Sequence, residues 1–171
     1  MKIAIYGGAF DPPHIGHVDL LNTACEMITP DKVIVIPTGN APHKSSQTDF
    51  VHRLAMAEQA FGVHTVSDIE NNSNISYTID TLKELRRLHS NAKFTLIIGA
   101  DMFYGFTKWK DYERILEMCS VFAAARTVPV SSSQARELLQ SGNTAARASA
   151  AGLLPVGVYE YIVREKLYTE E

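Results

Sequence analysis

The run Gly7-Gly8-Ala9-Phe10-Asp11-Pro12-Pro13-His14-Ile15-Gly16-His17 concentrates more chemically capable residues than any other part of the chain. Its glycines let backbone come close to a ligand, the helix that follows presents free N–H groups and a positive dipole end, and two imidazoles can donate to oxygen. That combination suits a phosphate, with His14 and His17 flanking one anion. The spacing is neither the G-x-G-x-x-G dinucleotide fingerprint nor the G-x-x-x-x-G-K-[ST] phosphate loop, because the glycines fall elsewhere and no lysine follows. Two plainer readings stand beside it. Histidines near a helix start also serve as capping or surface groups. Asp11 with the two histidines offers zinc three ligands, but no matching Cys or His elsewhere completes the set.

Other groups carry a double reading in the same way. Pro42-His43-Lys44 sits in a polar loop, Gly39 to Asp49, which is either a solvated connection or, beside anionic substrates, a source of mobile donors that close over phosphates. Ser131-x-x-Gln134 reads as a capping box opening the helix of Leu138 and Leu139. A serine-rich helix start with Arg136 one turn in is also an anion site, so both readings hold together. Gly99 and Asp101 follow a strand end, where a carboxylate can accept from ribose hydroxyls and glycine admits close approach; Asp101 as a helix cap is the alternative. Trp109 is the single tryptophan, by itself a packing residue as readily as a binding plate.

These residues need elements to hold them. Ile3 to Tyr6, Val33 to Ile36, Phe94 to Ile98 and Val121 to Ala124 are near-continuously apolar, the mark of strands covered on both faces. Leu21, Ala24, Cys25 and Ile28 form the stripe of an amphipathic helix expected to begin just after Pro12-Pro13 and Gly16 and to stop at Pro30-Asp31. A second helix is expected from Val51 to Phe61. A third follows Ser76 as its cap, with Ile79, Leu82 and either Leu85 or Arg86 facing inward. Ser141 to Gly152, rich in Ala and Ser, reads as a loop with a weak helical turn before Pro155, which would open a final helix carrying Val158, Tyr161 and Ile162. Alternating strands and helices predict an α/β fold, a Rossmann-like doubly wound parallel sheet, with ligands outside the carboxyl ends of the strands, at the loops after Tyr6, Ile36 and Ile98.

Composition narrows the function classes. The 171 residues are 46 % hydrophobic and 20 % charged, which fits one globular domain over 1–171 with a C-terminal helical portion at about 131–168. Sixteen Lys and Arg against nineteen Asp and Glu give a net charge of −3, which excludes a broadly basic nucleic-acid surface. Phosphate, if handled, is handled locally. Cys25 and Cys119 are too far apart for a C-x-x-C and read as buried free thiols. No signal peptide and no run of about 20 apolar residues is visible, so a cytoplasmic location without membrane contact is expected. Homo-oligomer formation is left open.

The segment from Gly7 to His17 resembles the H-x-G-H signature of the nucleotidylyltransferase superfamily, and its Gly-Gly-x-Phe-Asp-Pro-Pro-His is similar to the bacterial nicotinate mononucleotide adenylyltransferase branch. Pro42-His43-Lys44, Ser76-Tyr77-Thr78-Ile79-Asp80-Thr81-Leu82, Ile97-Ile98-Gly99-Ala100-Asp101, Trp109, Val130-Ser131-Ser132-Ser133-Gln134-Ala135-Arg136 and Leu154-Pro155 continue the resemblance in order over nearly the whole chain. It implies a single domain of the nucleotidylyltransferase type that joins ATP and nicotinate mononucleotide, releasing pyrophosphate, as a step of NAD biosynthesis. It further implies that Gly8, Ala9, Phe10, His14, His17, Gly99, Asp101, Ser131, Ser132, Ser133 and Arg136 meet ATP, and that Lys44, Tyr77, Thr78, Trp109 and Lys110 meet the mononucleotide.

Under the same resemblance, Trp109 is the plate for the pyridine ring, backbone N–H groups near Thr78 and Lys110 meet the carboxylate, and His14, His17, Lys44 and Arg136 assist transfer. Mg²⁺ arrives with the triphosphate, with no dedicated protein metal site. Ser133 stands where Thr is usual and Ala135 where Ile is usual. Only Thr127 to Val130 separate Arg126 from the serines, where relatives commonly carry a longer excursion. Alternatives are another acceptor, such as nicotinamide mononucleotide or another phosphorylated compound, and a nucleotide sensor without turnover.

Overall fold

The computed structural model describes residues 1–39, 48–71, 77–125 and 127–169. Strands β1 (Lys2–Gly8), β2 (Lys32–Pro37), β3 (Thr65–Val66), β4 (Lys93–Gly99) and β5 (Cys119–Ala124) form one sheet in the order β3-β2-β1-β4-β5, every neighbouring pair parallel. The chain order reverses between β1 and β4. That reversal is where a doubly wound sheet opens a crevice at its carboxyl edge.

Alternate residues of the strands feed two separate cores, as the two-residue period requires. Ile3, Ile5, Ile34, Ile36, Phe94, Leu96 and Ile98 face helix α3 (Thr78–Leu88) and helix α5 (Tyr112–Met118) through Ile79, Leu82, Leu85 and Ile115. Ala4, Tyr6, Val33, Val35 and Ile97 face helix α1 (Ile15–Ile28) and helix α2 (Phe50–Phe61) through Leu20, Leu21, Ala24, Ala57 and Phe61. The second face of α2 offers Met56 to a third cluster built by α6 (Ser132–Gln140), α7 (Thr144–Leu153) and α8 (Val156–Glu165). A short helix α4 (Ala100–Phe103) and a 3-10 turn at Phe106–Lys108 connect β4 to α5. Among the described residues no helix is long and apolar enough to cross a membrane.

Several sequence expectations need correction. Ser141 to Gly152 is no loop with a weak turn: α7 runs through Thr144–Leu153, capped by Asn143 Oδ1 accepting from the Ala145 N–H at 2.7 Å. Alanine's high helix propensity carries it where large apolar residues are missing. Helix α1 begins at Ile15, with His14 at the cap position and Gly16 inside the first turn. Helix α2 begins at Phe50, one residue early, and Pro155 occupies the cap position of α8 rather than its first turn. Ser76 lies outside the described residues, and the cap position of α3 falls on Tyr77. Leu85, not Arg86, is the buried member of the α3 stripe.

Cys119 is buried and burial pushes its thiol up to about 11, while Cys25 is only half-buried.

Candidate active site

The turn after β1 is held from beneath. Phe10 takes a left-handed conformation (φ 49°) and folds its ring into the core, against Tyr6 at 5.5 Å, Phe61 at 5.1 Å and the edge of His17 at 5.3 Å. A Cβ on Gly8 would lie 2.8 Å from that ring, so the position admits only glycine while Phe10 is seated. Phe10 is 1 % exposed, so its ring serves the core and not the crevice.

His14 and His17 occupy the two positions of a capping box at the start of α1. The His14 backbone N–H donates to His17 Nδ1 at 3.1 Å. An accepting Nδ1 requires a neutral His17 ring to carry its proton on Nε2, which makes that atom a donor. The rings stack with centroids 3.6 Å apart and planes 21° apart. The capping role and a phosphate role are therefore compatible.

Gly16 explains the residue between the histidines. A Cβ there would meet the Val128 carbonyl at 3.1 Å and the His14 ring at 3.2 Å. Val128 reaches this spot because the short connection before α6 lies on α1, where Thr127 Oγ1 also donates to Asp19 Oδ2. Gly16→Ala is expected to lower stability by up to about 2 kcal/mol, because overpacking outweighs the better helix propensity of alanine. Turnover should fall with it as the His14 ring is displaced. A thermal melt together with steady-state rates checks this; an unchanged rate would show that the His14 position is not critical.

Helix α6 docks its start on the same turn. Ser131 Oγ accepts from the Gln134 N–H at 3.1 Å as the cap, and Ser132 Oγ donates to the Pro12 carbonyl at 2.9 Å. Arg136 Nη1 donates to the Asp11 carbonyl at 2.5 Å, and its Nη2 to Ser133 Oγ at 3.2 Å. Two helix N-termini, three serine hydroxyls, two imidazoles and a guanidinium thus converge on residues 11–17. These groups are hydrogen-bond donors and dipole ends, a donor set for an anion.

A second group forms at the start of α3 and on the connection between β4 and α5. Lys110 Nζ lies 4.3 Å over the Tyr77 ring and 3.6 Å from Asp80 Oδ2. Trp109 leans on the buried Phe106 ring at 5.2 Å, and Tyr77 and Trp109 pack on the same core cluster. The structure therefore brings Tyr77, Thr78, Trp109 and Lys110 to one place. Gly99 ends β4 and takes the cap position of α4, so Asp101 sits exposed in the first turn instead of capping it. Lys44 and His43 lie outside the described residues. Among the described residues no group of three or more His, Cys, Asp or Glu is placed to hold a metal.

Sequence reasoning missed three residues that organise these turns. Arg53 is 2 % exposed and donates to the carbonyls of Ala9 (2.9 Å), Thr38 (2.7 Å), Thr48 (3.1 Å) and Gly39 (3.4 Å). Burial lowers its pKa, opposed by the charge of Asp11 and more weakly by those of Asp49 and Glu70. Glu70 accepts from the Gly39 N–H at 3.1 Å and the Thr81 hydroxyl at 2.5 Å. Tyr168 donates to Asp11 Oδ1 at 2.5 Å. The available signal was an arginine falling on the apolar stripe of α2 with Met56 and Ala57, at i+3 and i+4.

The profile of the cytidylyltransferase-like family matches residues 5–145. The chain belongs to that family. Within it, an Albidiferax ferrireducens protein named a probable nicotinate-nucleotide adenylyltransferase is 39 % identical over 130 residues, covering 73 % of this chain and 66 % of the relative. A Borreliella burgdorferi protein of the same name is 31 % identical over 195 aligned positions, covering 100 % of this chain and 98 % of the relative. That alignment is longer than the chain, so this member of the cytidylyltransferase-like family lacks segments its relative carries. A crystal structure from Vibrio parahaemolyticus, also assigned to the nicotinate-nucleotide adenylyltransferases, superposes with a TM-score of 0.81 at 26 % identity, covering 100 % of this chain and 98 % of that one. The Plasmodium falciparum nicotinic acid mononucleotide adenylyltransferase complexed with NaAD shares the fold at a TM-score of 0.78 and 23 % identity, covering 98 % of this chain and 97 % of that one.

Proposed function

We propose that this protein is a nicotinate-nucleotide adenylyltransferase: the phosphate of nicotinate mononucleotide attacks the α-phosphorus of ATP in line, nicotinate adenine dinucleotide forms and pyrophosphate leaves. The observation that carries the reading is the docking of the Ser131–Arg136 helix start on the His14/His17 turn, which builds one donor-lined anion cradle at the sheet's switch point. The second group, Tyr77, Thr78, Trp109 and Lys110, suits a flat, electron-poor acid: an indole for the ring, a helix start and an ammonium for the carboxylate. The relatives described above are named for the same activity.

A phosphate with a second pKa of about 6 is already largely ionised near neutral pH, so no general base is needed. The protein's work is alignment and neutralisation of charge on the leaving group. His17, donating from Nε2, and His14 serve the phosphates around the reacting centre; Arg136 and Lys44 stabilise charge on the triphosphate. Gly8, Ala9 and Phe10 contribute backbone, Ser131 to Ser133 hydroxyls and helix-start N–H groups, and Gly99 and Asp101 the ribose side. The donor set fits a phosphate better than a metal cage; a Mg²⁺ carried by ATP would supply screening of the triphosphate charge, beside Arg136 and the serine hydroxyls. A cytoplasmic place follows from such substrates.

Pyrophosphate release, measured with ATP, Mg²⁺ and a panel of nicotinate mononucleotide, nicotinamide mononucleotide and phosphopantetheine, tests the reading. Release should be fastest with the nicotinate compound. Preference for another acceptor, or ATP binding without release, would overturn it in favour of a different transferase or a sensor.

Trp109→Ala is expected to raise the KM for the mononucleotide about ten-fold or more, with little change in the KM for ATP, because stacking area and ring complementarity are lost together. Equal losses toward both substrates would remove Trp109 from the ring site.

A further inference from the structure

Segments far apart in the chain meet at Asp11. Its backbone carbonyl accepts from Arg136, its carboxylate from Tyr168, and the next carbonyl, of Pro12, from Ser132. Arg53 grips the Ala9 carbonyl two residues earlier. Asp11 itself is 5 % exposed. Tyr168 arrives from the turn beyond α8, where Lys166 (φ 55°) and Tyr168 (φ 57°) both take left-handed conformations and the ring packs on the cluster of Met56, Leu139, Val158 and Ile162. Two such non-glycine residues cost on the order of 1–3 kcal/mol each and persist only where surrounding contacts hold them. Burial and the Asp11 charge push the Tyr168 hydroxyl far above the ordinary phenol range, so it donates at any working pH. Tyr168 also lies beyond the 5–145 stretch matched by the family profile.

We propose that Tyr168 is a positioning residue for adenylyl transfer: by holding the Asp11 carboxylate it fixes the turn on which His14, Ser132 and Arg136 converge. It touches no substrate and acts through Asp11. The proposal rests on the reading of the previous subsection and adds a residue to its ATP side. If Tyr168 lets go of the carboxylate, Asp11 shifts, and the adjoining carbonyls that seat Ser132 and Arg136 move with it. The group around Tyr77 and Trp109 stands on α3 and on the connection after β4, so it is untouched.

The test is Tyr168→Phe, which keeps the ring and its packing. A hydrogen bond to a charged group supports an expected loss of about ten-fold in kcat/KM for ATP. The KM for nicotinate mononucleotide should stay within about two-fold, since the described residues of its site, Tyr77, Thr78, Trp109 and Lys110, stand at the start of α3 and on the connection after β4 rather than on this turn. In an Asp11→Ala background, which has no side-chain acceptor, the same substitution should cost less than about two-fold, because residues acting through one contact are not additive. A lower melting temperature with unchanged ATP parameters would overturn the proposal by making the role purely structural. So would an equal loss toward both substrates, or a full ten-fold loss in the Asp11→Ala background. Calorimetric titration of ATP into wild type and Tyr168→Phe separates this proposal from the reading beneath it. If wild type binds ATP without releasing pyrophosphate, the reading fails, yet weaker ATP binding by the variant still upholds the coupling and equal binding overturns it.

Discussion

His17→Ala is expected to lower kcat by about 10²–10³-fold, the usual cost of removing one preorganised donor from a site where charge develops. The geometry explains why the effect should fall on the rate. His17 is oriented from two sides, by the His14 N–H on its Nδ1 and by the stacked His14 ring, and the Phe10 ring closes a third side edge-on. The Nε2 donor is thus preset before substrate arrives. Stability should fall by only about 1 kcal/mol, the worth of a helix cap. Steady-state kinetics and a thermal melt on one preparation settle the matter. Wild-type turnover in the alanine variant would remove His17 from the mechanism. His17→Asn offers a control, since an amide oxygen can accept the cap while the donor is displaced: the melt should recover and the rate should not.

Arg53 should give the largest stability effect. Its guanidinium serves carbonyls from three segments, the turn after β1, the end of β2 and the entry to α2, and none of these is reached by another described side chain donor. Arg53→Ala leaves buried carbonyls without that donor and leaves Asp11 facing no compensating charge from this side. We expect a loss of at least about 3 kcal/mol, the range for breaking a buried charged network. For a chain of this size that is roughly a 10 °C fall in melting temperature. Arg53→Lys keeps the charge but replaces a fork of donors by one ammonium, so it should recover only part of the loss. Denaturant titration checks both; a lysine variant as stable as wild type would reduce the contribution to charge alone.

Much of the fold was legible because it rests on repeating apolar patterns. The continuous runs at Ile3 to Tyr6 and Phe94 to Ile98 mark strands covered on both faces, and each apolar residue of those runs indeed feeds one of two cores. Strand β3 escaped because two residues, Thr65 and Val66, carry no period. Helix α7 escaped because only Ala150 of its ten residues is buried, leaving no stripe to read, although Asn143 was a usable start signal. At the site, a local motif announced His14, His17 and the serine cluster. Arg53, Glu70 and Tyr168 act by reaching across the fold, and such contacts exist only after the elements are placed. Arg53 and Glu70 are charged residues at buried positions and Tyr168 is half-buried, and none of the three belongs to a local motif.

The contacts that brace the residue 11–14 turn span 120, 125 and 157 residues of chain, to Ser132, Arg136 and Tyr168. The sheet is complete once β5 has been made at Ala124. Chains are synthesised from the amino end at about 5–20 residues per second and their domains fold as they emerge. A nascent chain can therefore hold its whole sheet for several seconds while the turn that carries its histidines is still unbraced. Competence for nucleotide chemistry then arrives with the segments that follow the sheet, through Tyr168, and not with the sheet that emerges first.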